Sequence, residues 1–405
     1  MSRYLLFLFR IFRLSFQGSP RFLVWMAFLS VLSLIGLHAY AEQFVDGLQV
    51  TGMTNQVSWG AYIANFTFLV GVAAAAVMLV IPAYIYRNKH LHDVVIFGEL
   101  MAIAVIIMCL LFVIVDLGHP ERFMHMIPPW GTLNFPASIL AWDVIVLNGY
   151  LLLNLHICGY LLYCYYRGIK PTRKFYIPFV FISIIWAISI HTVTAFLYVG
   201  LAGRPYWHNP IVAPRFLASA FTAGPALLVL TFQFVRTFTK HWIGNQAIHT
   251  LRQIMTVAMI INVFLLGCEV FTEFYAETVH VASAKYLYFG LHGFTGLVPW
   301  IWTAIVLDFI GLFLLVSPLS QRIGWLNLAC IVSFIGIWIE KGMGLIIPGF
   351  VPTPLGDVVE YLPTLHETLI CMGIWAFGIL VYSWMLHVAI PIINGHLRDP
   401  ETVSK

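Results

Sequence analysis

Long apolar runs recur through the chain, separated by short connections that are either basic or rich in rings and prolines. A helix needs about 20 consecutive apolar residues to cross a bilayer. Ten stretches meet that requirement: 22–40, 58–86, 93–116, 134–165, 175–200, 213–238, 250–275, 286–316, 324–341 and 365–393. Several exceed it, so they tilt or project beyond the hydrocarbon. The fourth, eighth and tenth contain Gly or Pro and are expected to bend. The pattern predicts an all-α integral membrane protein of about ten transmembrane helices. Residues 1–21 form a leader, 22–57 a first helix and outer loop, 58–394 a helical core and 395–405 a tail.

Composition agrees with the pattern. The chain is 61% hydrophobic and only 9% charged, where soluble domains carry about 25% charge. In the leader, Arg3, Arg10 and Arg13 interrupt a run of Leu, Phe and Ile. That spacing suits a basic amphipathic helix lying on a membrane surface. Ala39-Tyr40-Ala41 resembles a signal-peptidase site, but a leader this long and basic is unusual for a signal. We therefore expect the first helix to be retained.

The position of the charges says more than the net value of +4. Of the 21 Lys and Arg residues, all but Arg122, Arg204, Arg215, Lys285 and Lys341 fall on one side of the predicted spans. The basic side is expected to be cytoplasmic. The chain is then a multi-pass protein of the cytoplasmic (inner) membrane with both termini inside. The basic residues counted on that side include Arg87, Lys89, Lys240 and Lys405.

The opposite side is poor in charge and rich in Pro, Trp and His. Its loops read DLGHPERFMHMIPPWGTLNFP at 116–136, GRPYWHNP at 203–210 and PGFVPTPLGDVVEYLPT at 348–364. Interfacial anchoring accounts for the rings and leaves the Arg and His content unexplained. The densest stretch is 189–224, where His191 lies in an apolar run and Arg204, Trp207, His208 and Arg215 crowd a proline-shaped turn. Such a stretch suits a pocket for a polar ring with a greasy tail.

Ionisable groups inside spans cost about 2.5–3.5 kcal/mol each at mid-membrane, so each needs a partner or a purpose. Towards the outer end lie Asn65, Asp116, Asn134, Asp143, His191, Glu269, Glu273, His292, Glu340, His366 and Glu367, with Glu99, Asp308 and His387 further in. A polar chamber in the outer half, with a sparser chain leading inward, is the simplest account. Asp143 is a candidate partner of His191. Glu269 and Glu273 share a helix face and would share a proton unless a cation separates them. Asn residues in spans usually bond a neighbouring helix. Glu340 with Lys341 reads as an interfacial pair, and His387 as interfacial.

Small residues at 71–76 and 218–224 allow close backbone approach and hint at a duplicated bundle. The six cysteines (109, 158, 164, 268, 330 and 371) show no CxxC, CxxCH or ferredoxin spacing. They read as packing residues, and the chain is expected to ligate neither haem nor an iron–sulfur cluster.

Three motifs carry a resemblance. WG-x-x-I-x-x-F-x-F-x-x-G at 59–71, D-L-G-x-P-x-R-F at 116–123 and P-R-F-x-x-S-A-x-x-x-G at 214–224 resemble the NrfD/PsrC family of quinone-handling membrane subunits. The ten spans and EKGMGLIIPGFVPTPLG-x-x-x-EYLPT at 340–364 are most similar to its ten-helix branch. That branch includes DsrP of the DsrMKJOP complex of sulfur metabolism and the HmcC-type subunits. The resemblance implies two four-helix bundles plus two extra helices. It implies a site for menaquinone or another quinone near the outer face. It also implies an extracytoplasmic ferredoxin-like iron–sulfur partner and further redox subunits, cytochromes among them. By similarity, Trp59, Asn65, Asp116, Arg122, Asn134, His191 and Arg204 would line that site. Glu99 matches the family's acidic residue proposed for proton movement. Eight-helix members often carry His where Asn65 stands, so His191 is the expected hydrogen-bond partner of the quinone here.

Quinol oxidation releases two electrons and two protons. His suits the proton-accepting role near neutral pH, with Asp143 beside it as a further quinone-site residue, and Glu99, Glu269, Glu273 and Asp308 are candidates to carry protons on. Arg or Asn suits the oxygen that gains negative charge. The electrons need a cofactor that this chain does not supply, so it is expected to do little net redox chemistry alone. Its partners are then lipid and redox subunits, not nucleic acid. A di-haem b subunit would need facing histidines among His191, His292 and His366. A secondary transporter would place its polar site at the midplane.

The charge asymmetry predicts the placement of the termini. A fluorescent protein fused after Lys405 should fluoresce, and alkaline phosphatase at the same position should be inactive. An active phosphatase would reverse the orientation.

Overall fold

The computed structural model describes residues 3–86, 91, 94–127, 129–239, 241–275 and 281–400. Arg87, Lys89, Lys240 and Lys405, counted above on the basic side, lie outside the described residues.

Among the described residues, ten helices are long and apolar enough to cross a membrane: Pro20–Asp46, Ala61–Ile85, Val95–Asp116, Ile139–Tyr166, Arg173–Val199, Val212–Phe238, Asn245–Tyr275, Val298–Val316, Ile323–Ile346 and Leu365–Ile393. They are spans 1 to 10 below. Spans 2 to 5 pack as one closed four-helix bundle and spans 6 to 9 as a second. Spans 1 and 10 run along each other, and span 10 also packs against spans 2 and 3. The end of the molecule that carries the 200–211 and 347–364 segments is termed the outer end, following the charge asymmetry.

Three elements depart from the predicted runs. The eighth run, 286–316, is split into a short helix, Val281–Tyr288, and the span from Val298. Between them Gly290, His292 and Gly293 take positive φ values of 85°, 52° and 88°, a left-handed backbone that cannot continue a right-handed helix. Span 2 loses regular helix at Ala74 and again at the π-helical turn Ile81–Ile85, which contains Pro82. A proline removes one backbone donor there. The fourth run begins later than predicted, at Ile139, leaving Asn134 in the preceding loop. Span 10 stays helical throughout despite Pro391.

The leader forms a helix, Arg3–Ser15. It buries Phe7 against the rings of Tyr163 and Tyr166. Arg10 Nη1 donates to the Arg398 carbonyl at 2.9 Å, so the leader and the tail meet at one end of the molecule. His387 is half-buried there, 2.6 Å from the Gln17 carbonyl.

Small residues set the closest helix approaches. A Cβ added to Gly373 of span 10 would lie 2.6 Å from Gly36 Cα of span 1. A Cβ added to Gly224 of span 6 would lie 2.5 Å from Ala75 Cβ of span 2. The two small-residue stretches are thus one contact, the seam between the bundles. Four of the cysteines are buried and Cys268 and Cys371 are half-buried, all as free thiols.

The crossing of spans 1 and 10 yields a stability prediction. Gly373→Val should lower the unfolding temperature of the purified protein, because overpacking a tight contact costs about 1–3 kcal/mol. Gly159→Val, at an open position, should be near neutral. Equal effects would show that the crossing is not tight.

Candidate functional site

Aromatic rings converge at the outer end. Trp59 precedes span 2, Tyr198 ends span 5, Trp207 lies in the turn Pro205–Trp207, and Phe350 follows span 9. Trp59 stacks on Trp207 with centroids 5.6 Å apart, and Phe350 meets the Trp207 ring edge-on at 4.9 Å. Trp207 is fixed from beneath, its Nε1 donating to the Leu345 carbonyl at 2.8 Å. Each ring comes from a different segment of chain, so both bundles are needed to assemble the group.

A cavity of about 510 Å³ opens on this group, lined by Trp59, Trp207, Phe350 and the 200–204 turn, including Arg204. Arg204 lies over the Phe350 ring, 4.6 Å from its centroid, and donates to the Phe350 carbonyl at 3.3 Å. Partial burial lowers its pKa from the ordinary guanidinium value. The lining is ring-faced with one cationic donor at its edge. That combination suits a flat, polar-edged ring.

Tyr198 packs edge-on against the Trp59 and Trp207 rings, behind the lining. Its hydroxyl hydrogen-bonds Thr67 of span 2. Below lies a second, small cavity of about 10 Å³, lined by Thr67, Phe68, Gly71, Phe216, Ser219 and Lys341 among others. It is of the order of a single water site.

Two of the residues singled out from sequence, Trp59 and Arg204, line the outer cavity. Asn65 is buried and used up elsewhere: its Oδ1 accepts from Trp338 at 3.0 Å and Trp375 at 2.9 Å, tying span 2 to spans 9 and 10. Arg122 is exposed and Asn134 lies in the same 116–138 loop, both away from the lining. Asp116 ends span 3, within electrostatic reach of Tyr62 and Glu367. Asp143 and His191 are both buried in the first bundle, but they do not bond each other. Asp143 accepts from Thr194 at 2.9 Å. His191 places its ring nitrogens 2.8 Å from the Ala187 carbonyl and 3.3 Å from the Gly71 carbonyl. Gly71 lines the small cavity, so His191 stands behind its wall. It is two turns, about 12 Å along the helix, below the end of span 5.

The other histidines of the set are dispersed. His292 is exposed in its left-handed turn, and His366 pairs with Glu42 at 2.8 Å where spans 1 and 10 meet. Glu367 is fully buried and organises the loop roof. It accepts from the Gly52 amide at 2.7 Å and the Thr364 amide at 2.9 Å, and binds the Tyr361 hydroxyl. Tyr361 in turn accepts from the Ala61 amide at the start of span 2. Burial first, and the Glu367 carboxylate second, raise the Tyr361 pKa, so the phenol stays a donor.

The acids assigned to proton movement lie in two places. Glu99 is buried in the first bundle towards the inner end, with the Cys158 thiol donating to it at 3.5 Å. Glu269, Glu273 and Asp308 are buried in the second bundle. There the sequence pattern did not reveal the centre of the arrangement. Arg215 turns inward from span 6 and makes ion pairs with both Glu269 and Glu340. The cation lies between Glu269 and Glu340, a pair that the Glu269–Glu273 spacing did not anticipate. Glu273 Oε1 lies 3.5 Å from Asn209 Nδ2. Glu340 and Lys341 are not interfacial: each is 4% exposed. The helix is interrupted at Gly342 and resumes as Met343–Ile346, whose Gly344 and Leu345 line a small cavity with both residues. Lys341 Nζ lies 5.1 Å from the Phe216 ring centroid. The available signal was Arg215 itself, a cation in the first turn of an apolar helix.

Comparison with known proteins agrees with this geometry. The family model described as "Polysulphide reductase, NrfD" matches residues 49–352. The chain is 23% identical to the "Hdr-like menaquinol oxidoreductase integral membrane subunit" of Archaeoglobus fulgidus, over 90% of this chain and 92% of that protein. It is 26% identical to the C membrane subunit of a putative dimethyl sulfoxide reductase of Halobacterium salinarum, over 80% and 77%. It is 22% identical to the C subunit of the selenate reductase of Mesobacillus selenatarsenatis, over 94% and 97%. These relatives are membrane subunits of oxidoreductase complexes. With three-quarters of its length matched, ten spans and two bundles, the chain belongs to the NrfD family of polysulphide-reductase-type membrane proteins.

Proposed function

We propose that this chain is the quinone-binding membrane subunit of a multi-subunit redox complex and that the outer cavity is its quinone site. The carrying observation is the ring-walled cavity of about 510 Å³ with Arg204 at its edge. Trp59, Trp207 and Phe350 would hold the flat ring by stacking, worth about 0.5–1.5 kcal/mol per aromatic pair beyond area burial. Arg204 would stabilise the ring oxygen that gains negative charge. The bound quinone supplies two-electron, two-proton chemistry. The printed name of the Archaeoglobus relative favours menaquinone as the substrate class.

The protein's own part is to bind, to orient and to take protons. Tyr198 and Thr67 provide a hydroxyl pair behind the rings. His191 and Asp143 lie behind that pair and are proposed as the proton acceptors on the first-bundle side, with Glu99 beyond them towards the cytoplasm. Glu269, Glu273 and Asp308 serve the second-bundle side. Asn65, Asp116, Arg122 and Asn134, which do not reach the lining, would act on loop position or partner docking. The electrons pass to an iron–sulfur cluster of an extracytoplasmic ferredoxin-like subunit. The ten-span architecture supports an assembly like DsrMKJOP, with cytochrome subunits and a place in sulfur metabolism, in the cytoplasmic membrane with both termini inside.

Quinol-dependent reduction of the partner's clusters in the purified complex tests this. Arg204→Ala should lower the rate about 10²–10³-fold, the loss typical of one oxyanion donor. Trp59→Leu should weaken binding of a quinol analogue by about 2–12-fold, the equivalent of one lost aromatic pair. Unchanged rate and affinity in both variants would remove the quinone from this cavity.

A further inference from the structure

The second bundle buries four carboxyl groups, Glu269, Glu273, Asp308 and Glu340, beside two cations, Arg215 and Lys341. Buried charge is paired or neutralised, so a carboxyl that no cation answers holds a proton. Geometry locates such a proton. Arg215 answers Glu269 and Glu340 directly. Asp308 is 0% exposed, and neither of its oxygens has a hydrogen-bond donor among the described residues. It packs against span 9 one turn before Glu340: a Cβ on Gly336 would overlap its Oδ1. Glu340 Oε2 also lacks a donor among the described residues. Two ionised carboxylates are both acceptors, and in a dry site a proton between them removes their repulsion.

Lys341 joins this pair to the quinone side. It lines the small cavity beneath Thr67 and Tyr198. It also lines a second small cavity with Tyr206, Arg215, Tyr288 and Glu340. We propose that the Asp308–Glu340 pair is a proton-loading site of the second bundle and that Lys341 exchanges protons between it and the outer cavity. The exchange rests on the quinone reading above; the shared proton does not. Oxidation of one quinol sends two electrons to the partner's iron–sulfur clusters and leaves two protons on the protein. Lys341, a cation at rest, gives its proton to the pair and takes one back from the quinol side, so the lysine ends unchanged. The groups facing the pair are Arg215 from span 6, Asn262 from span 7 and Lys341 from span 9.

Infrared difference spectroscopy of the full complex in nanodiscs tests the proposal. At neutral pH the wild-type complex should show a protonated carboxyl carbonyl band that shifts in D2O. Asp308→Asn should remove it, and so should Glu340→Gln. Adding quinol should perturb that band in the wild type and leave it unmoved in Lys341→Met. Absence of any such band in the wild type overturns the shared proton even if the variants fail to fold. Its survival in Asp308→Asn does so too. A band lost in Asp308→Asn but indifferent to bound quinol overturns the exchange. Failure of a quinol analogue to bind at all would instead remove the quinone reading, with the loss of the band in Asp308→Asn still deciding the proton pair.

Discussion

The contact between spans 2 and 6 is the constraint on which the rest of the molecule depends. Nothing larger than Ala separates the two backbones where Ala75 meets Gly224 and Gly71 meets Ala220. In lipid there is no hydrophobic drive between helices, so close packing of small residues carries much of the association. The same closeness decides what lies on either side. Thr67 and Gly71 from one bundle and Phe216 and Ser219 from the other line one small cavity. Separate the spans by one side-chain diameter and Thr67 and Lys341 no longer face one enclosed cavity.

A second constraint follows from the medium. Inside the hydrocarbon every polar group must be satisfied by the protein. The two bundles meet this demand differently. In the first, acids take neutral donors: Asp143 takes Thr194, and Glu99 takes Cys158. In the second, Arg215 and Lys341 are buried among carboxylates. Buried ion pairs add little net stability, yet removing one partner typically costs 3–5 kcal/mol. Such a cluster is thus a poor choice for holding helices together, and retention of so many charges points to a role in moving protons.

The fold was legible because hydropathy and length decide it. Ten apolar runs became ten spans, with shifted ends where Gly290, His292 and Gly293 or Pro82 interrupted the helix. Part of the site was legible for a similar reason: rings and a cation in a short proline-shaped turn have few uses in lipid, and Trp59 and Arg204 do share a cavity. Other assignments needed three-dimensional knowledge. Asn65 reads as a quinone-site residue until two indoles from distant spans converge on it. Glu340 with Lys341 reads as an interfacial pair because they end a predicted run, and only the helix that resumes after Gly342 shows them inside. Periodicity shows which face a residue is on, not what later comes to lie over it.

These observations favour a division of labour between the bundles. The rings that would hold a quinone come from both, since Trp59 and Tyr198 belong to the first while Trp207 and Phe350 flank the second. The small cavity behind them is shared as well. From that cavity the groups diverge: His191 and Asp143 continue into the first bundle, and Lys341 and Glu340 into the second. On the proposed quinone reading, two protons released at one ring would meet two differently built receivers. On one side, neutral donors and single acids leave any change of charge uncompensated. The other side, already holding cations among its carboxylates, can redistribute a proton within a cluster whose charges offset one another. A proton entering the second receiver thus meets the smaller electrostatic barrier, and the pairing of Arg215 with two carboxylates is what makes that so.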